Sequence, residues 1–379
     1  MKKIGVGIIG YGFIGRMHAY GYRTIPLVYR DNPFEIEIVG VSTAHDETAA
    51  AAAREIGCRF HTADWRELIA RDDVSAVSIC SPNAAHKEQV IAALHAGKHV
   101  YCDKPLTVSY AESLGIVGAA RKAAGCVHQM TFQNRFFPAT LRAKELLESG
   151  ALGRILHFRA LYLHSGYLDP NRPFSWRLDK AHGGGALVDL GSHVIDLMRH
   201  LLGEFESVCM TTETFIKQRP LREEPSRMHD VEVDDFALML ARMAGGAPGV
   251  IEASRVATGV NDELRFDIHG DNGAISFNLM QPNYLGFFDN SDPGGPYGGR
   301  KGVKLIECCQ RYPDLLLRTE KNSIGWRDGH VQCLYQFLRC VAEGRPASPD
   351  LHDGAAVQRV MDAAYLSAEQ KRWVRVSEI

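Results

Sequence analysis

The feature that most constrains the fold is a glycine-rich turn between an apolar run and an amphipathic run at the start of the chain. The segment KIGVGII (3–9) is typical of a short buried strand, GYGFIG (10–15) follows it, and FIGRMHAYGYR (13–23) is typical of a helix. In such a unit the first glycine allows a tight turn, the second lets the backbone approach a pyrophosphate, and the third permits close helix packing. The helix N-terminus adds free N–H groups and the positive end of its dipole. The sequence therefore predicts a dinucleotide-binding loop formed by Gly10, Gly12, Phe13, Ile14 and Gly15.

Strand and helix patterns alternate along the rest of the first third of the chain. Apolar, β-branched segments recur near residues 37–44, 74–81, 99–104 and 127–132, and helical patterns separate them. This alternation predicts an α/β fold with a doubly wound parallel sheet, a Rossmann domain, over residues 1–132.

Length and composition limit what the chain can do. Its 379 residues exceed the usual size of one core, so we expect a second domain over residues 133–379. The net charge of −2, with 23% charged residues, does not favour nucleic acid or an acidic membrane surface as a partner. The 16 histidines form no HExxH or comparable cluster, so no metal is expected. Nine cysteines without paired CxxC spacing, no cleavable leader and no apolar run of 18 residues predict a cytoplasmic protein with reduced thiols.

The end of the second predicted strand bears on the choice of dinucleotide. In dinucleotide folds an acidic residue usually stands there and binds the adenosine ribose hydroxyls. Here Ser42 and Thr43 occupy the place, and no arginine follows directly to bind a 2′-phosphate. The cofactor is therefore expected to be NAD or NADP with weak discrimination, and we favour NAD because a buried phosphate lacks an evident counter-charge.

Two further segments end at the carboxyl edge of the predicted sheet, where ligands bind in this class of fold. SPNAAH (81–86) follows the fourth strand and YCDKPL (101–106) carries the fifth, so cofactor contacts are expected from Ser81, Pro82, Asn83, His86, Asp103 and Lys104. Lys104 can give a cation to a substrate oxygen or to the nicotinamide ribose, and Pro105 restricts its conformation. The alternative for Lys104 is a solvated surface lysine before a turn.

The segment HGGGALVDLGSHVIDLMRH (182–200) is a glycine-led, mostly apolar helix pattern with four polar side chains. On an ideal α-helix, Asp189, His193, Asp196 and His200 fall within a stripe about 60° wide. Short Asp and titratable His are unusual for a solvated face, so the stripe is expected to face a cavity. The alternative is an ordinary amphipathic helix whose stripe meets water.

The chain after residue 132 shows consecutive strand patterns with short turns. A long alternating segment, RILHFRALYLHS, precedes the glycine-led helix, and five more strand patterns follow it, two of them joined by a hairpin at GDNG (270–273). Residues 281–300 resemble a surface loop, and two helices follow, the last of them packing back toward the first domain. We therefore expect an α+β domain with a large open antiparallel sheet, packed on helices on one face and free to meet another subunit on the other.

Four motifs together, GYGFIG, SPNAAH, the DKP of YCDKPL and GGGALVDLGSH, resemble those of the Gfo/Idh/MocA oxidoreductases. The resemblance covers nearly the whole chain and implies a second domain whose open sheet forms the substrate cleft and commonly the oligomer interface. A homodimer or homotetramer through this sheet is therefore expected. Position in the motifs implies that Lys104, Asp189 and His193 act beside the nicotinamide. Asp103 replaces the usual glutamate before that lysine, and Ser42 with Thr43 replaces the ribose acid.

The implied chemistry is oxidation of a secondary hydroxyl of a sugar, anhydrosugar or cyclic polyol by hydride transfer to nicotinamide. His193 suits the general base, Asp189 can orient it, and Lys104 can stabilise the developing alkoxide, although Lys104 as the base is an alternative. Substrate contacts are expected from Arg135, Tyr167, Trp176 and Arg177, the last equally well a surface residue.

Two other functions remain open at this point. One is a redox-neutral, NAD-dependent lyase or glycosidase of the same fold, and the other is a dinucleotide-sensing regulator without chemistry. Net production of reduced nicotinamide separates the dehydrogenase from both.

Overall fold

The structure, a computed structural model, describes residues 1–309, 312–316 and 322–379. These residues form two compact units. Unit 1 comprises the described residues of 1–136, 312–319 and 327–358, and unit 2 comprises those of 137–311, 320–326 and 359–379. The predicted second domain, 133–379, thus contains segments that cluster with unit 1.

Unit 1 is built on a six-stranded parallel sheet with the order β3-β2-β1-β4-β5-β6. The predicted doubly wound sheet is confirmed. Its strands and helices are β1 (Lys2–Ile9), α1 (Phe13–Val28), β2 (Phe34–Ser42), α2 (Asp46–Ile56), β3 (Phe60–Thr62), α3 (Trp65–Ala70), β4 (Ala76–Ile79), α4 (Asn83–His95), β5 (His99–Cys102), α5 (Tyr110–Lys122) and β6 (His128–Met130).

The sequence of β1 explains its central place in this sheet. Ile4, Val6 and Ile8 are fully buried, and Gly5 and Gly7 between them are buried as well. A strand covered by helices on both faces needs such a continuous small or apolar run. The carboxyl ends of β1, β4 and β5 consequently meet at one edge, which carries the glycine-rich loop and the SPNAAH and DKP segments.

Unit 2 is built on a nine-stranded sheet with the order β16-β15-β14-β13-β7-β12-β11-β8-β17, and β9 pairs with β10 separately. Its strands and helices are α6 (Pro138–Glu148), β7 (Ile155–Leu163), α7 (Ser192–Leu202), β8 (Phe205–Glu213), β9 (Gln218–Pro220), β10 (Met228–Asp230), β11 (Phe236–Met243), β12 (Pro248–Ser254), β13 (Glu263–Gly270), β14 (Gly273–Asn278), β15 (Tyr284–Asp289), β16 (Lys304–Glu307) and β17 (Val374–Arg375). The late helices are α8 (Trp326–Glu343), which lies in unit 1 from Arg327 onward, and α9 (Leu351–Gln370), which begins in unit 1 and ends in unit 2.

The large sheet differs in one respect from the predicted antiparallel sheet. The hairpin at residues 270–273 is present between β13 and β14, but β12 pairs with β7 in parallel. The two strands are adjacent in space yet separated in sequence by a long crossover through α7, β8 and β11, which is the connection that parallel pairing requires. The sheet is therefore mixed. Residues 281–300 also contain β15, so they are not entirely a loop.

Alternation along β7 assigns its two faces. Phe158, Ala160 and Tyr162 are buried, whereas Arg159 is exposed and Leu161 half-buried. The helical segment 187–202 packs against β7 and β12. The inner face of the sheet thus supports the segment that carries Asp189 and His193.

Candidate active site

The glycine-rich loop of unit 1 uses its glycines in different ways. Gly10 has a φ of +88°, and a Cβ there would lie 2.6 Å from the Cys80 carbonyl oxygen. A Cβ at Gly15 would lie 2.2 Å from the Gly10 carbonyl oxygen, so both positions are fixed by backbone packing. Gly12 differs, because a Cβ there would meet nothing within 4 Å.

The N-terminus of α1 fits a dinucleotide phosphate. Gly12 is its N-cap residue, it makes no side-chain capping hydrogen bond, and no acidic residue stands in the first turn. Phe13 at that end is 70% exposed. A helix N-terminus without a side-chain cap or an acidic first turn, and with open space beside a glycine, is an arrangement that binds an anion. Gly10, Gly12, Phe13, Ile14 and Gly15 would hold the pyrophosphate there.

At the predicted ribose end of the site, Thr43 and Arg16 are both engaged by neighbouring side chains or backbone. The Thr43 hydroxyl lies 3.0 Å from the His45 carbonyl oxygen and 2.5 Å from the Thr48 hydroxyl. Arg16, in the first turn of α1, forms an ion pair with Glu55, and its guanidinium lies over the Tyr11 ring at 4.7 Å. Because the Glu55 carboxylate neutralises Arg16, this end favours an unphosphorylated ribose.

His86 joins the two motifs at the carboxyl edge. Its Nδ1 lies 3.0 Å from the Pro105 carbonyl oxygen, and its Nε2 lies 2.9 Å from the Ser81 carbonyl oxygen. The Ser81 hydroxyl in turn donates to Gln89 at 2.6 Å. The polar atoms of both side chains are therefore engaged within unit 1, and they brace the loops that carry Asn83 and Lys104.

Lys104 stands two residues after the end of β5 and is half-buried. Its charge, together with that of His18 and with burial, lowers the pKa of His330 on α8 well below its ordinary value, burial being the largest cause. Sequence reasoning missed His330, since a single histidine at the start of a helical pattern carries no signal of its neighbours.

The segment that carries Asp189 and His193 is not the regular α-helix that the sequence predicts. Residues Leu187–Gly191 form a π-helical turn, and α7 begins at Ser192. The wider π-turn advances less than 100° per residue, so the angular positions calculated for an α-helix do not hold across it. His193 is 6% exposed and Asp189 is half-buried. That these side chains face a cavity stays a prediction.

Charged and aromatic side chains surround Asp189 within unit 2. The Arg177 Nε lies 3.9 Å from the Asp189 Oδ2, and the Arg177 guanidinium lies over the Trp176 ring at 4.3 Å. The Tyr162 and His193 rings are 5.6 Å apart between centroids. Arg177 thus contacts both Asp189 and Trp176, and His193 lies beside Tyr162.

Sequence reasoning missed Tyr162 and His164, and also Asp262, whose charge acts on both of them. Burial raises the pKa of Tyr162 well above its ordinary value, and the charges of Asp262 and Asp189 add to the rise. Burial lowers the pKa of His164, and the same two carboxylates oppose that shift. Tyr162 lies on β7 and His164 follows it directly. The two-residue alternation of a strand predicts which side chains are buried, but it does not predict which of them lie near the carboxylates.

The remaining predicted substrate contacts lie in different places. Tyr167 is buried, and the guanidinium groups of Arg172 and Arg255 lie over its ring at 4.1 and 4.5 Å. Arg135 belongs to unit 1, where it is buried and its guanidinium lies 3.5 Å from the Asp353 carboxylate. A substrate contact for either residue stays a prediction.

Two searches of the described residues concern metals and membranes. Residues 1–309, 312–316 and 322–379 hold no group of three or more His, Cys, Asp or Glu side chains arranged to bind a metal ion. Within the same ranges, every helix is too short or too polar to cross a membrane.

Both units of the chain resemble known proteins. Residues 4–131 match the model of the Gfo/Idh/MocA oxidoreductase family's NAD-binding Rossmann fold, and residues 144–376 match that of its C-terminal α/β domain. The chain is 37% identical to a levoglucosan dehydrogenase from Pseudarthrobacter phenanthrenivorans, with all of both chains covered. It is 28% identical to a myo-inositol 2-dehydrogenase from Thermotoga maritima, with 99% of each chain covered. A solved levoglucosan dehydrogenase in complex with NADH and levoglucosan has a TM-score of 0.93 and 37% identity, with 99% of this chain and 100% of that chain covered.

Proposed function

Because the chain belongs to the Gfo/Idh/MocA oxidoreductase family and is an NAD-dependent sugar oxidoreductase, we propose that it oxidises a secondary hydroxyl of an anhydrosugar of the levoglucosan type. The observation that carries this proposal is the likeness over the full length, in sequence and in backbone, to a levoglucosan dehydrogenase that binds NADH and levoglucosan. We assign cofactor binding to unit 1 and recognition of the sugar hydroxyls to unit 2.

The chemistry requires removal of the proton from the hydroxyl oxygen and transfer of a hydride from the carbon that bears this hydroxyl. Bound NAD supplies the hydride acceptor. His193 takes the hydroxyl proton, because an imidazole titrates near neutral pH and this ring is held in a buried position. The Lys104 ammonium stabilises the negative charge that develops on the substrate oxygen.

Asp189 has a different part in this assignment. Its carboxylate faces Arg177 and lies one turn before His193. We assign Asp189 to orientation of the substrate and of the base, because a carboxylate accepts hydrogen bonds from hydroxyls and from an imidazole N–H. Trp176 offers an apolar ring surface beside these polar groups, as sugars require.

A substrate panel tests the proposal. Levoglucosan, myo-inositol, scyllo-inositol and glucose are compared with NAD as the oxidant, and kcat/KM is measured from the absorbance of the reduced nicotinamide. We expect levoglucosan to give the highest kcat/KM. A higher value for either inositol would overturn the anhydrosugar assignment while leaving the oxidoreductase class intact.

Two wider properties belong to the same proposal. We assign the protein to a homodimer or homotetramer formed through the open face of the large sheet, because Leu240 and Val250 pair there on adjacent strands and are only partly covered. We assign it to the cytoplasm, because a reducing compartment suits a chain with many free thiols. Free thiols are present at Cys58, Cys80, Cys102, Cys126, Cys209 and Cys340.

A further inference from the structure

We propose that Asp234 is a positioning residue for the dehydrogenase reaction, which it supports by capping the helical segment that carries Asp189 and His193. The inference rests on the proposed catalytic function of these two residues. Asp234 stands just before β11, more than forty positions after the segment it holds.

The catalytic segment begins without a local cap. Its first turn, at Ala186 and Leu187, follows a run of glycines, and its π-helical part makes no side-chain capping hydrogen bond at Ala186. The backbone N–H groups of such a first turn need partners from elsewhere. Asp234 supplies two of them, since its carbonyl oxygen accepts from the Ala186 N–H at 2.9 Å and its Oδ2 accepts from the Leu187 N–H at 2.8 Å.

The second carboxylate oxygen of Asp234 is also held. The Tyr365 hydroxyl, on α9, donates to Oδ1 at 2.7 Å, and Asp234 is 5% exposed. Burial raises the pKa of Asp234 above its ordinary value, and the hydrogen bonds from Tyr365 and Leu187 oppose this rise. A carboxylate fixed at both oxygens and placed at a helix N-terminus also complements the helix dipole.

Arg255 extends the same connection to Arg177. Its guanidinium is fully buried and donates to the Asp234 carbonyl oxygen at 2.8 Å and to the Arg177 carbonyl oxygen at 2.9 Å. Asp234 is therefore hydrogen-bonded to the segment of Asp189 and, through Arg255, connected to the backbone of Arg177. The Arg177 side chain in turn faces Asp189. The relative position of these two charged groups depends on one buried junction.

This junction explains why residues 184 and 185, in the motif GGGALVDLGSH, are glycines. A Cβ at Gly185 would lie 2.5 Å from the Asp234 Oδ1 and 2.8 Å from the Tyr365 hydroxyl, and a Cβ at Gly184 would lie 2.5 Å from the Arg177 carbonyl oxygen. Because glycine has no Cβ, the backbone at Gly185 can lie in contact with the Asp234 carboxylate. Close contacts with Arg177 and Asp234 therefore require glycine at positions 184 and 185.

The neighbouring acid shows that burial alone does not give this role. Asp235 is fully buried as well, but its Oδ2 accepts from the N–H groups of Phe215 and Ile216, which belong to another turn. Of the two adjacent carboxylates, Asp234 is the one that bonds to the catalytic segment.

Asp234→Asn tests the proposal in two backgrounds, the wild-type chain and His193→Asn. Asparagine keeps the size of the side chain but loses the charge, so the segment can shift. We expect kcat in the wild-type background to fall about 10- to 100-fold, the range that follows a small misplacement of catalytic groups. In the His193→Asn background we expect little additional loss, because a residue that acts through His193 has nothing left to position.

The controls separate positioning from loss of stability. Ile275→Val removes one methyl from the core of β14 and should lower the melting temperature without changing kcat. The dissociation constant of NADH, read from nicotinamide fluorescence, should be unchanged in Asp234→Asn. Equal fold losses in both backgrounds, or an unchanged kcat in folded Asp234→Asn, would overturn the positioning role. An unchanged kcat in His193→Asn alone would instead overturn the proposed function of His193.

Discussion

At the scale of single residues, His193 is the side chain whose loss should separate chemistry from binding. Replacing the imidazole by the amide of His193→Asn removes the proposed general base but keeps a polar group in the buried position. We expect kcat to fall about 10²- to 10⁴-fold, the range for a lost acid–base group.

The measurement is steady-state kinetics with the best sugar of the panel, together with the dissociation constant of NADH. NADH affinity should be unchanged, because the proposed contacts to the dinucleotide come from the glycine-rich loop and the SPNAAH and DKP segments, whereas His193 is assigned to the substrate proton. Wild-type turnover in this variant would remove His193 from the mechanism.

Thr43 carries the corresponding prediction for the cofactor. Because Arg16 is paired to Glu55, its charge is partly neutralised toward a 2′-phosphate. We expect kcat/KM to favour NAD over NADP by less than about 100-fold, since one charged hydrogen bond is worth about 1.5–3 kcal/mol. Thr43→Asp should lower kcat/KM with NADP further by repelling the phosphate.

Thr43→Asn is the matched neutral control, and its ratio of kcat/KM values should stay near that of the wild type. A wild-type preference for NADP by several thousandfold would contradict this account of the ribose end.

The sequence was enough to predict which residues lie close together where they follow neighbouring strands of one parallel sheet. Gly10, Ser81 and Lys104 follow strands of one parallel sheet, whose carboxyl ends meet at one edge, so a linear pattern was enough to group them. Asp234 and Arg255 could not be found in this way. Asp234 precedes β11 and Arg255 follows β12, and the sequence around each predicts only a strand. The antiparallel pairing of these two strands brings the residues together beside the segment that carries Asp189 and His193.

At the scale of secondary-structure elements, the π-helical turn and the parallel pairing of β7 with β12 are the features that sequence patterns did not predict. Apolar spacing near 3.6 residues is the same for an α-helix with and without a short π-turn. An alternating strand likewise shows which face is buried but not the direction of its neighbour. Both features arise from tertiary packing.

Gly185→Ala tests whether the close approach beneath Asp234 is required. Gly185 has a φ of +126°, so alanine adds backbone strain of about 1–3 kcal/mol, and its Cβ also collides with the Asp234 carboxylate. We expect a lower melting temperature and a lower kcat.

Gly203→Ala is the matched control in the same unit. Gly203 ends α7 with a φ of +92°, but a Cβ there meets nothing within 4 Å. It should lose stability from strain alone and keep its kcat. Equal behaviour of the two variants would show that the Asp234 contact adds nothing to the cost of the backbone conformation.

At the scale of the whole molecule, the open face of the nine-stranded sheet leads to a prediction about assembly. Leu240 on β11 is 45% exposed, and it pairs with Val250, which pairs in turn with Arg159. Half-buried Leu161 and Leu238 lie on the same face, each paired with Glu252. A sheet face with several partly exposed aliphatic side chains between charged ones is typical of a protein interface.

Leu240→Glu should therefore dissociate the proposed oligomer, because two copies meeting through this face would bury the added carboxylate without a partner. Light scattering after size-exclusion chromatography measures the mass directly. We expect a dimer or tetramer for the wild type and a monomer for the variant. Leu305→Glu, at a 70% exposed position on the edge strand β16, controls for the effect of an added charge on the same sheet and should keep the wild-type mass. A monomeric wild type, or an unchanged mass in Leu240→Glu, would show that this face does not join copies of the chain.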